Sequence, residues 1–110
     1  MIGFSIGSGK LKKILVRVVG ASLVAFGISN PLLQPTLTLY SGSEPLVEGV
    51  TPGETLTATE AAAKVGAFAL MSEAQDRVLL VDLPVGNYTV RVGSADGTSG
   101  QALLEIYDVP

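Results

Sequence analysis

The chain has 110 residues, of which 47% are apolar and 15% are charged, and it contains neither cysteine nor histidine. Its length is typical of one domain, so we expect a single domain over residues 1–110. The missing residue types exclude disulfides, zinc sites of the usual kind and Ser-His or Cys-His nucleophiles, and the net charge of −3 argues against nucleic acid as a partner. We therefore expect a protein that is not an enzyme, with no cofactor and no metal.

The N-terminal region predicts two strands separated by a break. Apolar side chains alternate with small ones at the start of the chain, a period of two that is typical of a strand with one buried face. These apolar residues are Ile2, Phe4 and Ile6. A hinge of small residues then interrupts the pattern, at Gly7, Ser8 and Gly9. Alternation resumes over residues 12–19 and predicts the second strand.

The next segment predicts a short helical turn and two further strands. Ser22 is placed to cap a turn that continues through Phe26, and Gly27 is placed to end it. Apolar and polar residues alternate again over residues 36–40, and a short strand follows around residues 45–50.

A Thr-x-x-Glu capping box at Thr57 and Glu60 predicts one short helix near residues 57–68. Residues 77–83 are apolar on both faces, which predicts a buried central strand.

The C-terminal region predicts a hairpin. Residues 88–92 alternate, and Asp96-Gly97 is a strong turn signal that would join them to a partner strand over residues 101–108. Seven to eight strands with one short helix indicate an all-β protein, an antiparallel β-sandwich of the jelly-roll or immunoglobulin-like kind.

Charge is distributed unevenly along the chain. The first twenty residues contain four basic residues and no acid, whereas the rest contains ten acids and three basic residues. The four basic residues are Lys10, Lys12, Lys13 and Arg17. Two interpretations remain open: chance in a short chain, or a basic end that meets the acidic body of a neighbouring copy. No apolar run reaches the roughly 18 residues of a membrane span, so we expect no membrane span. We assign the first twenty residues to the fold and not to a targeting segment.

Several stretches together resemble an unassigned repeat module of large secreted bacterial proteins. Residues 13–27 (KILVRVVGASLVAFG) resemble its signature K-x-L-I-R-A-x-G-P-S-L-x-x-F-G, and residues 35–40 (PTLTLY) resemble its D-P-x-L-x-L-Y. The match continues in order through VGAFAL at 65–70, LPVGNYTV at 83–90 and GTSGQALLEIY at 97–107. The resemblance implies a β-sandwich similar to pre-peptidase C-terminal domains and brings no defined activity.

Two loose groups of acids are the candidates for chemistry. The first comprises Glu44, Glu48 and Glu54, and the second Glu73, Asp76 and Asp82. Paired carboxylates act in glycosidases and bind calcium, but neither group has the dense spacing of a calcium loop. A solvated polar surface is the main interpretation, and weak calcium binding is the alternative.

The aromatic residues bear on carbohydrate binding. Three tyrosines and no tryptophan form a poor platform for stacking on sugars. From strand parity we expect Tyr88 in the core and Tyr40 and Tyr107 facing outward. Asn87-Tyr-Thr89 matches a glycosylation acceptor, in a turn where asparagine is common in any case.

Residues 1–7 have two interpretations. In the first they form a hairpin with residues 12–19 of the same molecule. In the second Ile2, Phe4 and Ile6 form an assembly strand that leaves on the hinge and completes a sheet of the next copy, which produces an open, head-to-tail filament. The low charged fraction, below the roughly 25% of an ordinary domain, favours a surface hidden against other copies.

These observations lead to one functional hypothesis and one alternative. The hypothesis is an extracellular or cell-surface structural subunit that assembles with copies of itself into a fibre or surface layer by β-strand addition, with residues 1–9 as the exchanged strand and hinge. The alternative is a monomeric adhesive or carbohydrate-binding accessory domain of a secreted protein, with polysaccharide as its partner.

Overall fold

The computed structural model describes residues 2–7, 9, 11–52, 55–70 and 75–110. These residues form the strands β1 (Ile2–Ile6), β2 (Lys12–Val19), β3 (Pro35–Ser41), β4 (Glu44–Glu48), β5 (Arg77–Leu83), β6 (Gly86–Ser94) and β7 (Leu103–Val109). A 3₁₀ helix spans Ala21–Phe26, and the α-helix α1 spans Leu56–Lys64. The predicted all-β, sandwich-like class with a short helix near residues 57–68 is confirmed.

The strands form two antiparallel sheets that enclose the main core. One sheet has four strands in the order β1-β6-β3-β4, and the other has three in the order β5-β2-β7. Successive side chains of a strand point to opposite faces, so the alternating apolar residues of both sheets meet between them. The buried residues of this core are Ile6, Ile14, Val16, Val18, Leu37, Leu39, Leu79, Leu83, Tyr88 and Val90.

A second apolar layer covers the outer face of the three-stranded sheet. Helix α1 packs there through Ala58 and Ala61, against Leu15 of β2 and Val78 of β5. This layer explains why β5 is apolar on both faces: odd-numbered side chains such as Leu79 face the main core, and even-numbered ones face α1. The prediction that residues 77–83 form a central strand is wrong, because β5 lies at a sheet edge and β2 takes the centre.

The predicted hairpin between residues 88–92 and 101–108 is also wrong. Asp96 does form a turn, and its carboxylate accepts hydrogen bonds from Ser94 and Thr98. However, β6 and β7 belong to different sheets, and the chain crosses between them. Gly100 permits the crossing because a Cβ at that position would lie 2.7 Å from the backbone of the neighbouring segment at residue 31.

Two helix caps differ from those predicted. Thr55, rather than Thr57, precedes α1, and its hydroxyl accepts a hydrogen bond from the backbone N–H of Ala58. Gly27 ends the 3₁₀ helix in the left-handed conformation, as expected, but Ser22 does not cap that helix. The Ser22 hydroxyl instead donates a hydrogen bond to the buried carboxylate of Asp76.

Candidate functional site

The N-terminal strand β1 lies at one edge of the four-stranded sheet and pairs with β6 of its own chain. Phe4 lies opposite Tyr88, and their rings stack with centroids 5.6 Å apart. Ile6 is buried in the main core, whereas Ile2 at the start of β1 is half exposed. The predicted assembly strand therefore has one partner strand and is anchored mainly by its second half.

The hinge carries the chain from one sheet to the other. Gly7 is exposed, and Gly9 has a φ of 103°, which favours glycine; Ser8 lies outside the described residues. The interpretation in which residues 1–7 form a hairpin with residues 12–19 is wrong. Both edges of β2 are already occupied by β5 and β7, so β1 pairs in the opposite sheet.

Beneath β1 a cleft of about 280 Å³ opens between the two sheets. Its apolar lining comes from Phe4 and Ile6 of β1, together with Ile14 and Ile106 of the facing sheet. The inner face of β1 therefore covers the sandwich without filling the space at this edge.

The two edges of the four-stranded sheet differ in character. Edge strands of natural proteins are commonly protected from pairing with other chains by charges or proline. Strand β4 follows this rule, since it contains Glu44, Pro45 and Glu48. Strand β1, with the sequence IGFSI, contains neither a charge nor a proline. The β1 edge is thus the unprotected edge of this sheet.

The predicted basic segment does not form one surface. Lys12 is exposed and forms an ion pair with Asp108, with Nζ and Oδ2 3.0 Å apart. Lys13 is also exposed, and Lys10 lies outside the described residues. Arg17 departs from the expectation, because only 1% of it is exposed and it cannot meet a neighbouring copy.

Arg17 lies on the outer face of β2, where its partners belong to the same chain. Glu105 is directly opposite on β7, and its Oε1 atom lies 3.0 Å from Nε of Arg17. The Nη1 group donates a hydrogen bond of 2.8 Å to the Phe68 carbonyl, and the guanidinium lies 4.7 Å from the centre of the Phe68 ring. Phe68 in turn packs edge-on against Phe26. Residues 65–70 thus cover a buried charge.

The buried ion pair extends to Tyr107. Its hydroxyl donates a hydrogen bond of 2.8 Å to Oε2 of Glu105. Burial raises the pKa of Tyr107 above its ordinary value, and the hydrogen bond to Glu105 and the charge of Glu105 add to the increase. By contrast, Nη2 of Arg17 is buried and has no hydrogen-bond partner among the described residues. Sequence analysis missed this site; its signal was an arginine within the otherwise apolar run of residues 14–19.

The acidic residues occupy different surroundings in the structure. Glu44 and Glu48 are exposed on β4, and Asp82 is exposed on β5. Asp76 is fully buried and accepts hydrogen bonds from the Gly20 N–H and the Ser22 hydroxyl, so its assignment to a solvated surface is wrong. The two other acids, Glu54 and Glu73, lie outside the described residues. No cluster of three potential ligands occurs in the part of the chain that the structure describes.

The tyrosines occupy different environments. Tyr88 is buried, as predicted, and its hydroxyl donates to the Pro84 carbonyl. Tyr40 and Tyr107 are half-buried and lie on different sheets, so they form no common stacking platform. Asn87 is exposed beside β1 and accepts a hydrogen bond from Ser5, 2.8 Å long.

Comparisons with protein-family models, curated proteins and solved structures give no match. The resemblance to a secreted bacterial repeat module therefore stays a prediction. Within the described ranges, the helices are too short to cross a membrane.

Proposed function

We propose that the protein is a non-enzymatic extracellular structural subunit, which assembles head-to-tail into a fibre or surface layer by exchanging β1 between copies. The observation that carries the proposal is the condition of β1. It is an uncharged edge strand with one partner strand, and a glycine hinge joins it to the opposite sheet.

Exchange requires β1 to leave its own β6 and to pair with β6 of the next copy. The same interactions then form between copies as within one chain, including the stacking of Phe4 on Tyr88 and the burial of Ile6. Burial of one aliphatic side chain contributes about 1.5–3 kcal/mol. Strand β1 has one buried side chain, Ile6, and five residue pairs join it to β6, so we expect local opening of β1 to cost less than global unfolding.

The geometry of exchange determines the form of the assembly. Each copy donates β1 at one place and accepts a foreign β1 beside β6 at the same sheet edge. If the hinge extends so that donor and acceptor copies lie head-to-tail, the contact does not close and a filament grows. The small charged fraction of the chain is consistent with close packing of copies.

An engineered disulfide tests the exchange. Ser5 and Asn87 are paired in the β1–β6 register, and their side chains are in hydrogen-bond contact. The chain has no cysteine, so Ser5→Cys/Asn87→Cys introduces a single pair of thiols. In exchanged filaments this pair joins different copies, and non-reducing electrophoresis shows a ladder of covalent multimers. In closed monomers the disulfide forms within one chain.

A matched control uses two strands that exchange of β1 does not separate. Thr38 of β3 is paired with Arg91 of β6, so Thr38→Cys/Arg91→Cys forms its disulfide within one chain in either state. A ladder with the first pair and none with the second supports the proposal. Monomeric cross-linked protein with both pairs, together with light scattering that reports a monodisperse species near 11 kDa, contradicts it and favours the monomeric accessory domain.

A further inference from the structure

The edge strands of the two sheets differ in how well they are protected against pairing with another chain. Strand β4 contains two glutamates and a proline, and β7 contains a glutamate and an aspartate. Strand β5 contains an arginine and an aspartate, and two backbone hydrogen bonds join Val78 at its outer edge to Val50. Among the described strands, β1 alone combines an edge position with a sequence, IGFSI, that lacks both charge and proline.

The free side of β1, which points away from β6, has two features that another strand would complete. The backbone N–H and C=O groups on this side have no partner strand among the described residues. The cleft of about 280 Å³ lies at the same edge, between β1 and the facing strands β2 and β7. Phe4 and Ile106 line this cleft and are partly exposed. The free side thus offers backbone hydrogen-bonding groups and apolar surface together.

We infer that the free side of β1 pairs with β1 of a second copy in antiparallel orientation, which joins two four-stranded sheets into one sheet of eight strands. The register that overlaps all five residues places Phe4 opposite Phe4 of the second copy, and Gly3 opposite Ser5. Directly opposite side chains point to the same face, so Ile2, Phe4 and Ile6 of both chains lie together on the inner face and cover the two clefts. The second copy fits this edge because its β1 brings backbone groups and apolar side chains without burying a charge.

This pairing does not rest on the proposed exchange. Exchange concerns the side of β1 that faces β6, whereas the second copy occupies the opposite side. A β1 that has moved to β6 of another copy keeps the same free side. Because the contact is two-fold symmetric, it closes at two chains, and it therefore joins monomers into dimers or connects one filament to another.

Two chains with one cysteine each test the pairing, since the natural chain has no cysteine. Gly3→Cys is introduced into a chain with a purification tag and Ser5→Cys into an untagged chain; a Cβ at residue 3 makes only an ordinary contact, 3.6 Å from the Tyr88 carbonyl oxygen. In the inferred register the two thiols face each other across the contact. After mild oxidation we expect the mixed disulfide to exceed both disulfides between identical chains. A tagged Glu44→Cys chain, with its thiol on the protected edge strand β4, measures the background from random collision.

Charge variants at the same two positions give a second measurement. Gly3→Lys/Ser5→Lys places like charges opposite each other in the contact, whereas Gly3→Lys/Ser5→Glu places opposite charges there. Both variants lose the hydrogen bond from Ser5 to Asn87, so they are matched in every other respect. Sedimentation should show association at least about tenfold weaker for the first variant than for the second, and circular dichroism verifies that both are folded.

Two results overturn the inference: a yield of mixed disulfide no higher than that of the Glu44→Cys control, or equal association of the two charge variants. The outcome is separate from that of the exchange. A ladder with Ser5→Cys/Asn87→Cys but no excess of mixed disulfide overturns edge pairing and leaves exchange in place. An excess of mixed disulfide without such a ladder supports edge pairing alone.

Discussion

Removal of Glu105 tests how much the buried ion pair with Arg17 contributes to the stability of the fold. Glu105→Ala leaves the guanidinium of Arg17, which is 1% exposed, with the Phe68 carbonyl as its remaining hydrogen-bond acceptor among the described residues. It also removes the acceptor of the Tyr107 hydroxyl. Breaking a buried pair from one side costs about 3–5 kcal/mol, since a charge stays behind without its counterion.

The magnitude is measurable in a domain of this size. A free-energy change of 1 kcal/mol shifts the melting temperature by about 4 °C in a domain near 100 residues, so we expect Glu105→Ala to lower it by about 12–20 °C. Far-ultraviolet circular dichroism during heating and urea unfolding follows the loss of strands, and it suits a chain without tryptophan. The double variant Arg17→Met/Glu105→Ala removes both charges and should be at least about 2 kcal/mol more stable than Glu105→Ala alone.

Two results would refute this reasoning. A cost below about 1 kcal/mol for Glu105→Ala would mean that the pair behaves as a solvated surface ion pair. Additive effects of the single substitutions Arg17→Met and Glu105→Ala in the double variant would mean that the two charges do not depend on each other, whatever their separation.

Three further predictions concern other contacts of the fold. Gly20→Ala would place a Cβ 1.9 Å from the Leu32 carbonyl oxygen, so we expect a loss of about 3 kcal/mol or more in urea unfolding, and a change under about 0.5 kcal/mol would contradict the close approach. Ser22→Ala removes a donor to the buried Asp76 carboxylate, and the same assay should report a cost of about 1–3 kcal/mol. Because the pKa of Tyr107 is raised, the folded state keeps a proton in alkali that the unfolded state releases. The contribution of Tyr107 to the free energy of unfolding is therefore complete below pH ~10 and is lost as the pH rises above it. Tyr107→Phe should therefore make the free energy of unfolding fall less steeply in alkali, and an unchanged slope would contradict the assignment.

Strand positions were predictable wherever one face of a strand is buried. The alternation at Ile14, Val16 and Val18 located β2, and that at Leu37 and Leu39 located β3, because a period of two fixes which side chains enter a core. Which strands pair with each other was much harder to predict. The Asp-Gly turn at residues 96–97 exists, but a turn signal is local and cannot specify whether the following strand pairs or crosses to the other sheet.

The buried ion pair was not predictable for a related reason. Arg17 and Glu105 are opposite each other only because β2 and β7 pair in one register, and that register follows from the whole sheet. The cover over Arg17 depends on Phe68, which falls within the helix predicted near residues 57–68, although α1 ends at Lys64. The N-terminal strand, in contrast, was located correctly from Ile2 to Ile6, and its role in assembly stays a prediction.

The strand order has a consequence for how the chain folds during synthesis. Strand β1 needs β6, and β2 needs β5 and β7, so among the described strands only the β3–β4 pair joins neighbours in sequence. A nascent chain that stops before residue 103 lacks β7, so the three-stranded sheet is incomplete and one edge of β2 has no partner strand. Folding of this domain is therefore expected to wait until β7 has been synthesised and to be slow compared with that of helical proteins of equal length.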